Sequence, residues 1–137
     1  MTPEKQFEER IKRWFHQVGI YPAGYAKQKM KADPVGWYFK HWGGGYAKSG
    51  IPDIIACICG VMFGIELKAP KGRATDLQKL NISRINEAGG IGVILYPSGF
   101  DDFKAIVGEV IECSGVTAEL ILIKSVHSVI DVAILKN

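Results

Sequence analysis

Asp53, Glu66 and Lys68 are the residues of this 137-residue chain whose types and spacing invite chemistry. They stand in Gly50-Ile51-Pro52-Asp53 and Ile65-Glu66-Leu67-Lys68, within two apolar, partly β-branched runs, 51–58 and 61–67, separated by Cys59 and Gly60. Such runs around a two-residue break predict a β-hairpin, and Gly60 suits a turn position of positive φ. Ile58 then faces Val61, and the ladder continues upward until Asp53 faces Glu66. Directly opposed side chains have Cβ atoms roughly 4.5–5.5 Å apart, and the two-residue period puts Lys68 on the same side as Glu66. Two acids side by side among apolar neighbours are costly unless something positive joins them. A divalent ion meets that need, because two carboxylates and a backbone carbonyl offer hard oxygen ligands to an ion that keeps several waters. A metal-bound water is more readily deprotonated and is a nucleophile for a phosphodiester. Lys68 is placed to orient that water or to neutralise charge in the transition state. Spacing alone fits a salt-bridged patch at a sheet edge as well. Context argues for a buried pair, since Pro52 removes an N–H at the strand start and Ile51, Ile54, Ile55, Ile65 and Leu67 surround the acids.

The elements that must position these groups are readable along the chain. Phe7, Ile11, Trp14, Phe15 and Val18 recur at spacings of three and four, which predicts an amphipathic helix with Thr2 as N-cap and Pro3 as first residue. Residues 19–34 combine Gly19, Pro22, Gly24 and Pro34 with Lys27, Lys29 and Lys31 and read as a basic connecting segment. A short aromatic strand from Gly36 to Trp42 runs into a glycine-rich loop carrying Tyr46 and Lys48. After the hairpin, Thr75 opens a helix to about Ala88, Ile91 to Tyr96 is a buried strand, and a helix runs from Phe100 to about Ile111. The segment from Thr117 fits strand or helix. This order predicts one α/β or α+β domain, a mixed sheet flanked by helices, with a core over about 1–112 and a C-terminal extension over 113–137.

Bulk properties narrow the class of protein. The hydrophobic share of 47% supports a single real core, while a net charge of +3 permits nucleic-acid binding without announcing it. Residues 1–20 are charged and amphipathic, not a signal peptide, so a reducing cytoplasm is the expected setting for three cysteines. Cys57, Cys59 and Cys113 lack zinc-site spacing and read as small buried hydrophobes. The apolar tail from Val116 to Leu135 is interrupted by Glu119, Lys124, His127 and Asp131, which argues against a membrane span.

Gly50, Ile51, Pro52, Asp53, then Ile65, Glu66, Leu67, Lys68, then Gln78 in the next helix, resemble the PD-(D/E)XK nucleases, specifically the virus-type replication-repair nuclease group. The resemblance runs from the first helix to about Val107, roughly three-quarters of the chain. It implies a restriction-endonuclease-like core and Mg²⁺- or Mn²⁺-dependent cleavage of DNA. By the same resemblance Asp53, Glu66 and the Leu67 carbonyl would hold the metal, Lys68 would be the catalytic lysine and Gln78 an active-site helper. The family's first-helix glutamate matches Glu4 in phase with Phe7 and Ile11, with Glu8, one turn on, as the alternative. Stand-alone members of this size look like phage or prophage proteins of the host cytoplasm. They act as dimeric, structure-selective endonucleases on branched DNA such as Holliday junctions. A homodimer would bring two centres to two strands. The alternative is a DNA-binding module that keeps the fold without catalysis, and a third reading is a scaffold whose acid and lysine trio is structural.

Other residues have two readings each. Gln78 is also the third residue of a Thr75-Asp76-Leu77-Gln78 capping box, and Glu4 is a first-turn acid favoured by the helix dipole. Tyr46 and Lys48 suit stacking and phosphate contact, or simply a solvated loop. Lys71 and Arg73 follow the Glu-x-Lys strand and are placed to meet phosphate. His16, His41 and His127 have no acid or nucleophile at a telling spacing, and no catalysis is assigned to them.

Overall fold

Thr2 accepts a hydrogen bond from the Lys5 amide at 3.2 Å, and Pro3 follows it, so helix α1 (Pro3–Val18) starts where capping rules place it. Gly19, at φ 91°, ends it in the left-handed region. The computed structural model describes residues 1–42 and 49–114 and, for the backbone alone, 134–135. The remaining elements are β1 (Ile20–Pro22), β2 (Gly36–Lys40), β3 (Ile54–Ile58), β4 (Val61–Leu67), α2 (Asp76–Glu87), β5 (Ile91–Leu95), α3 (Phe100–Glu112) and β6 (Ile134–Leu135). The described residues are thus α+β, with three α-helices and a mixed sheet in the order β1-β2-β3-β4-β5-β6.

β2, β3 and β4 are antiparallel neighbours, whereas β1 runs parallel to β2, and β4, β5 and β6 are mutually parallel. The hairpin has the expected register, Ile58 opposite Val61 and Ile54 opposite Ile65. Its loop residues Cys59 and Gly60 both take positive φ, 49° and 84°, as a tight two-residue turn between right-twisted strands requires. Four expectations need correction. Residues 19–34 are not only a connection, because Ile20–Pro22 forms β1 and Lys27–Lys29 a single 3-10 turn. The strand expected over 36–42 ends at Lys40, and the hairpin's first strand begins at Ile54 rather than Ile51. Cys57 is exposed, not buried, since its side of β3 is left uncovered.

The sheet has two unlike faces. On one, Phe7, Ile11 and Phe15 of α1 and Phe103, Val107 and Val110 of α3 pack on Tyr38, Ile54, Phe63, Ile65, Val93 and Leu95. Burying a side chain of this size contributes about 1.5–3 kcal/mol, so this layer fixes α1 against the sheet. On the other face α2 packs through Ile82 on Ile94 and Tyr96. Gly64 and Gly92 are direct partners across β4 and β5. A Cβ at Gly92 would lie 2.7 Å from the Ile82 carbonyl oxygen, and one at Gly64 would lie 2.5 Å from Ile85 Cδ1. The two glycines therefore form a bare strip against which α2 can lie. That close seat sets the reach of every side chain in its first turn. Trp37, Phe39 and Met62 share this face and are exposed.

Candidate active site

Asp53 stands one residue before β3, and its backbone carbonyl still accepts from His41 N at 2.7 Å. Continuing the ladder past Ile54 and Ile65 brings Asp53 and Glu66 opposite one another on the α2 side of the sheet. Asp53 Oδ2 accepts from the Leu67 amide at 2.8 Å, which ties its carboxylate to β4. Lys68 Nζ lies 3.6 Å from Glu66 Oε1. The three groups that spacing brings together are together in the structure.

Gln78 caps the helix and also contacts Glu66. Its Oε1 accepts from Thr75 N at 2.9 Å while its own amide N–H donates to Thr75 Oγ1 at 3.1 Å, completing the capping box. Its Nε2 meanwhile donates to Glu66 Oε1 at 2.7 Å. One amide side chain closes the helix start with its oxygen and reaches the buried acid with its nitrogen.

The electrostatics of Glu66 follow from burial. It is 3% exposed, and its Oε2 is buried without a hydrogen-bond partner among the described residues. Burial first, and then the charge of Asp53, push its carboxyl up to about 7, against the opposing pull of Lys68. The lysine beside it therefore does not neutralise the pair.

The first-helix acid is a correction of preference. Glu4 is exposed, whereas Glu8 is buried and faces the sheet. Glu8 Oε1 lies 2.8 Å from Lys40 Nζ, and Lys40 Nζ lies 3.5 Å from Asp53 Oδ1. Lys5 and Lys12 hold Glu8 Oε2 at 2.6 and 2.9 Å. Burial alone would raise the Glu8 carboxyl, but hydrogen bonds from Lys40, Lys5 and Lys12 outweigh it and hold it at about 2. Neither Lys40 nor His41 is marked out by sequence spacing. His41 sits across from Asp53 just past β2, and its Nε2 is the only other buried side-chain polar atom among the described residues without a partner. Extending the ladder from β3 to the aromatic strand would have found both residues.

Lys71 and Arg73 are exposed on the loop between β4 and α2, which Tyr96 braces by donating from its hydroxyl to the Gly72 carbonyl at 2.9 Å. Tyr46 and Lys48 lie outside the described residues, as does the C-terminal extension apart from β6. No described helix is long and apolar enough to cross a membrane.

The site can be tested for its fit to a divalent metal. Among the described residues no three His, Cys, Asp or Glu side chains gather as a metal-holding group. The donor set is therefore two carboxylates, which Mg²⁺ and Mn²⁺ accept when a backbone carbonyl, water and phosphate complete their shell. The buried, unpartnered Glu66 Oε2 beside a second carboxylate is what such an ion would satisfy, and in that respect the residues fit. Compared with protein-family models, curated proteins and solved structures, the chain matches none.

Proposed function

We propose that the protein is a metal-dependent DNA endonuclease with a restriction-endonuclease-like core, of the PD-(D/E)XK type and the virus-type replication-repair group. The observation that carries this reading is the Asp53 and Glu66 pair on one face of the sheet, with a buried Glu66 oxygen that no group among the described residues satisfies. Asp53, Glu66 and the Leu67 carbonyl would hold Mg²⁺ or Mn²⁺, which when bound supplies Lewis acidity and a water of lowered pKa.

The chain's own residues set the conditions for that chemistry. The Leu67 amide fixes the Asp53 carboxylate, and Gln78 fixes that of Glu66, so both acids are oriented before any substrate arrives. Lys68, with its ammonium beside Glu66 and 13% exposed, is placed to donate to a phosphate oxygen and to stabilise charge there. Lys71 and Arg73 extend positive charge outward along the next loop, where they would position the phosphate backbone without reading sequence. Branched DNA as substrate and action as a homodimer belong to this reading.

The test is a panel of labelled four-way junctions, flaps, nicked and linear duplexes, incubated with Mg²⁺, Mn²⁺ or EDTA. Products that need metal and vanish in Asp53→Ala and Glu66→Ala, with DNA binding kept in a mobility-shift assay, are the expected result. Full cleavage by either variant sinks the site. A mobility shift with no product under any metal would instead mark a DNA-binding module.

A further inference from the structure

The acid that α1 sends toward the site has no free oxygen to give. Glu8 Oε2 is held by Lys5 and Lys12, and its Oε1 by Lys40 at 2.8 Å. The same Lys40 ammonium reaches Asp53 Oδ1 at 3.5 Å. Lys40 is paired with Ile54, so its stem leaves β2 on the α1 side and its head crosses the sheet end toward Asp53. Its side chain is only 17% exposed, so the ammonium is enclosed between the helix acid and the sheet acid.

We propose that this ammonium holds the place, between Glu8 and Asp53, that a second divalent cation would take, so that the centre is built for a single divalent ion. The inference rests on the metal-site reading of Asp53 and Glu66 and goes beyond it by fixing stoichiometry and giving Lys40 a role. A divalent ion entering the Glu8 and Asp53 gap would meet a fixed positive charge at contact distance and two oxygens already engaged. The position by Glu66 is different, because there one carboxylate oxygen, beside the Asp53 carboxylate, is left over. Glu8, pinned by three lysines, then acts as the anchor that orients Lys40 and not as a ligand. Lys40 is thus a positioning residue, holding one face of Asp53 so that the other faces Glu66.

Counting bound Mn²⁺ by electron paramagnetic resonance on the full chain tests this without reference to cleavage. Wild type should bind one Mn²⁺ per chain. Lys40→Met, which keeps the stem, and Lys40→Ala should each bind two, the second more weakly, and Glu8→Gln added to Lys40→Met should return the count to one. Two ions in wild type, or one in a folded Lys40→Met protein, overturns the inference while leaving the metal site standing. No bound Mn²⁺ in wild type overturns the metal-site reading and this inference with it. The wild-type count needs no variant to fold.

Discussion

Replacing Glu66 by Gln should make the metal-free protein more stable at pH 8. The Glu66 carboxyl lies near 7 in the folded protein against an ordinary value of 4.5, so between these values the folded state binds more protons than the unfolded state. Stability contributed by this group is complete below pH 4.5 and is lost as pH rises through 7. At about 1.4 kcal/mol per pH unit, holding Glu66 ionised at pH 8 costs about 3 kcal/mol. A glutamine keeps an oxygen for Gln78 Nε2, and its NH₂ can donate to Asp53 where the carboxylate only repels it. Glu66→Gln should therefore gain about 3 kcal/mol in EDTA at pH 8, roughly 10 °C in melting temperature for a domain of this size. At pH 5 the gain should shrink below about 1 kcal/mol. Mn²⁺ at a hundred times its dissociation constant should restore about 2.7 kcal/mol to the wild type alone and close the gap. Thermal and urea unfolding at both pH values, with and without Mn²⁺, measure all of this. A variant less stable than wild type in EDTA at pH 8, or a gain that persists unchanged at pH 5, refutes the argument that Glu66 carries an uncompensated charge.

Glu8→Gln has the opposite sign, because its carboxyl is held at about 2: it should cost up to about 3 kcal/mol at pH 7, and the deficit should fade as pH drops from 4.5 toward 2 in an acid titration of unfolding. Gln78→Ala breaks the capping box and the contact with Glu66 at once, and urea unfolding should register a loss of about 1–2 kcal/mol. In the same variant cleavage should fall, and unchanged cleavage would reduce Gln78 to a cap. Gly92→Ala drives a methyl against the Ile82 carbonyl, so it should destabilise by about 1–3 kcal/mol and weaken Mn²⁺ binding as α2 lifts and takes Gln78 with it.

What could be read from the chain beforehand divides by range. The hairpin register, the α1 start at Thr2 and Pro3 and the capping box of α2 depend on residues two to four apart, or on a tight turn, and local chemistry specifies them. β1 escaped because three residues between Gly19 and Ala23 carry no periodicity, and its partner begins at Gly36. Lys40 escaped because β2 meets β3 across a long connection, and the choice between Glu4 and Glu8 stayed open because it depends on how α1 docks on the sheet through Phe7, Ile11 and Phe15. Helical phase put Glu4 and Glu8 on nearly one line. Only the docked helix shows that the first turn stays in solvent while the second reaches the sheet. Gln78 was legible as a cap, and the three-dimensional arrangement adds its contact with Glu66.

The turn at Cys59 and Gly60 is about 20 Å of extended chain away from Glu66, yet it works as the gauge of the whole centre. Strand alternation means that one added or deleted residue at that bend would rotate half the acidic pair to the opposite surface, among the phenylalanines. The acidic pair is therefore encoded as much in loop length as in the identity of the acids. A natural or engineered insertion at this remote bend should silence the protein as surely as loss of a carboxylate.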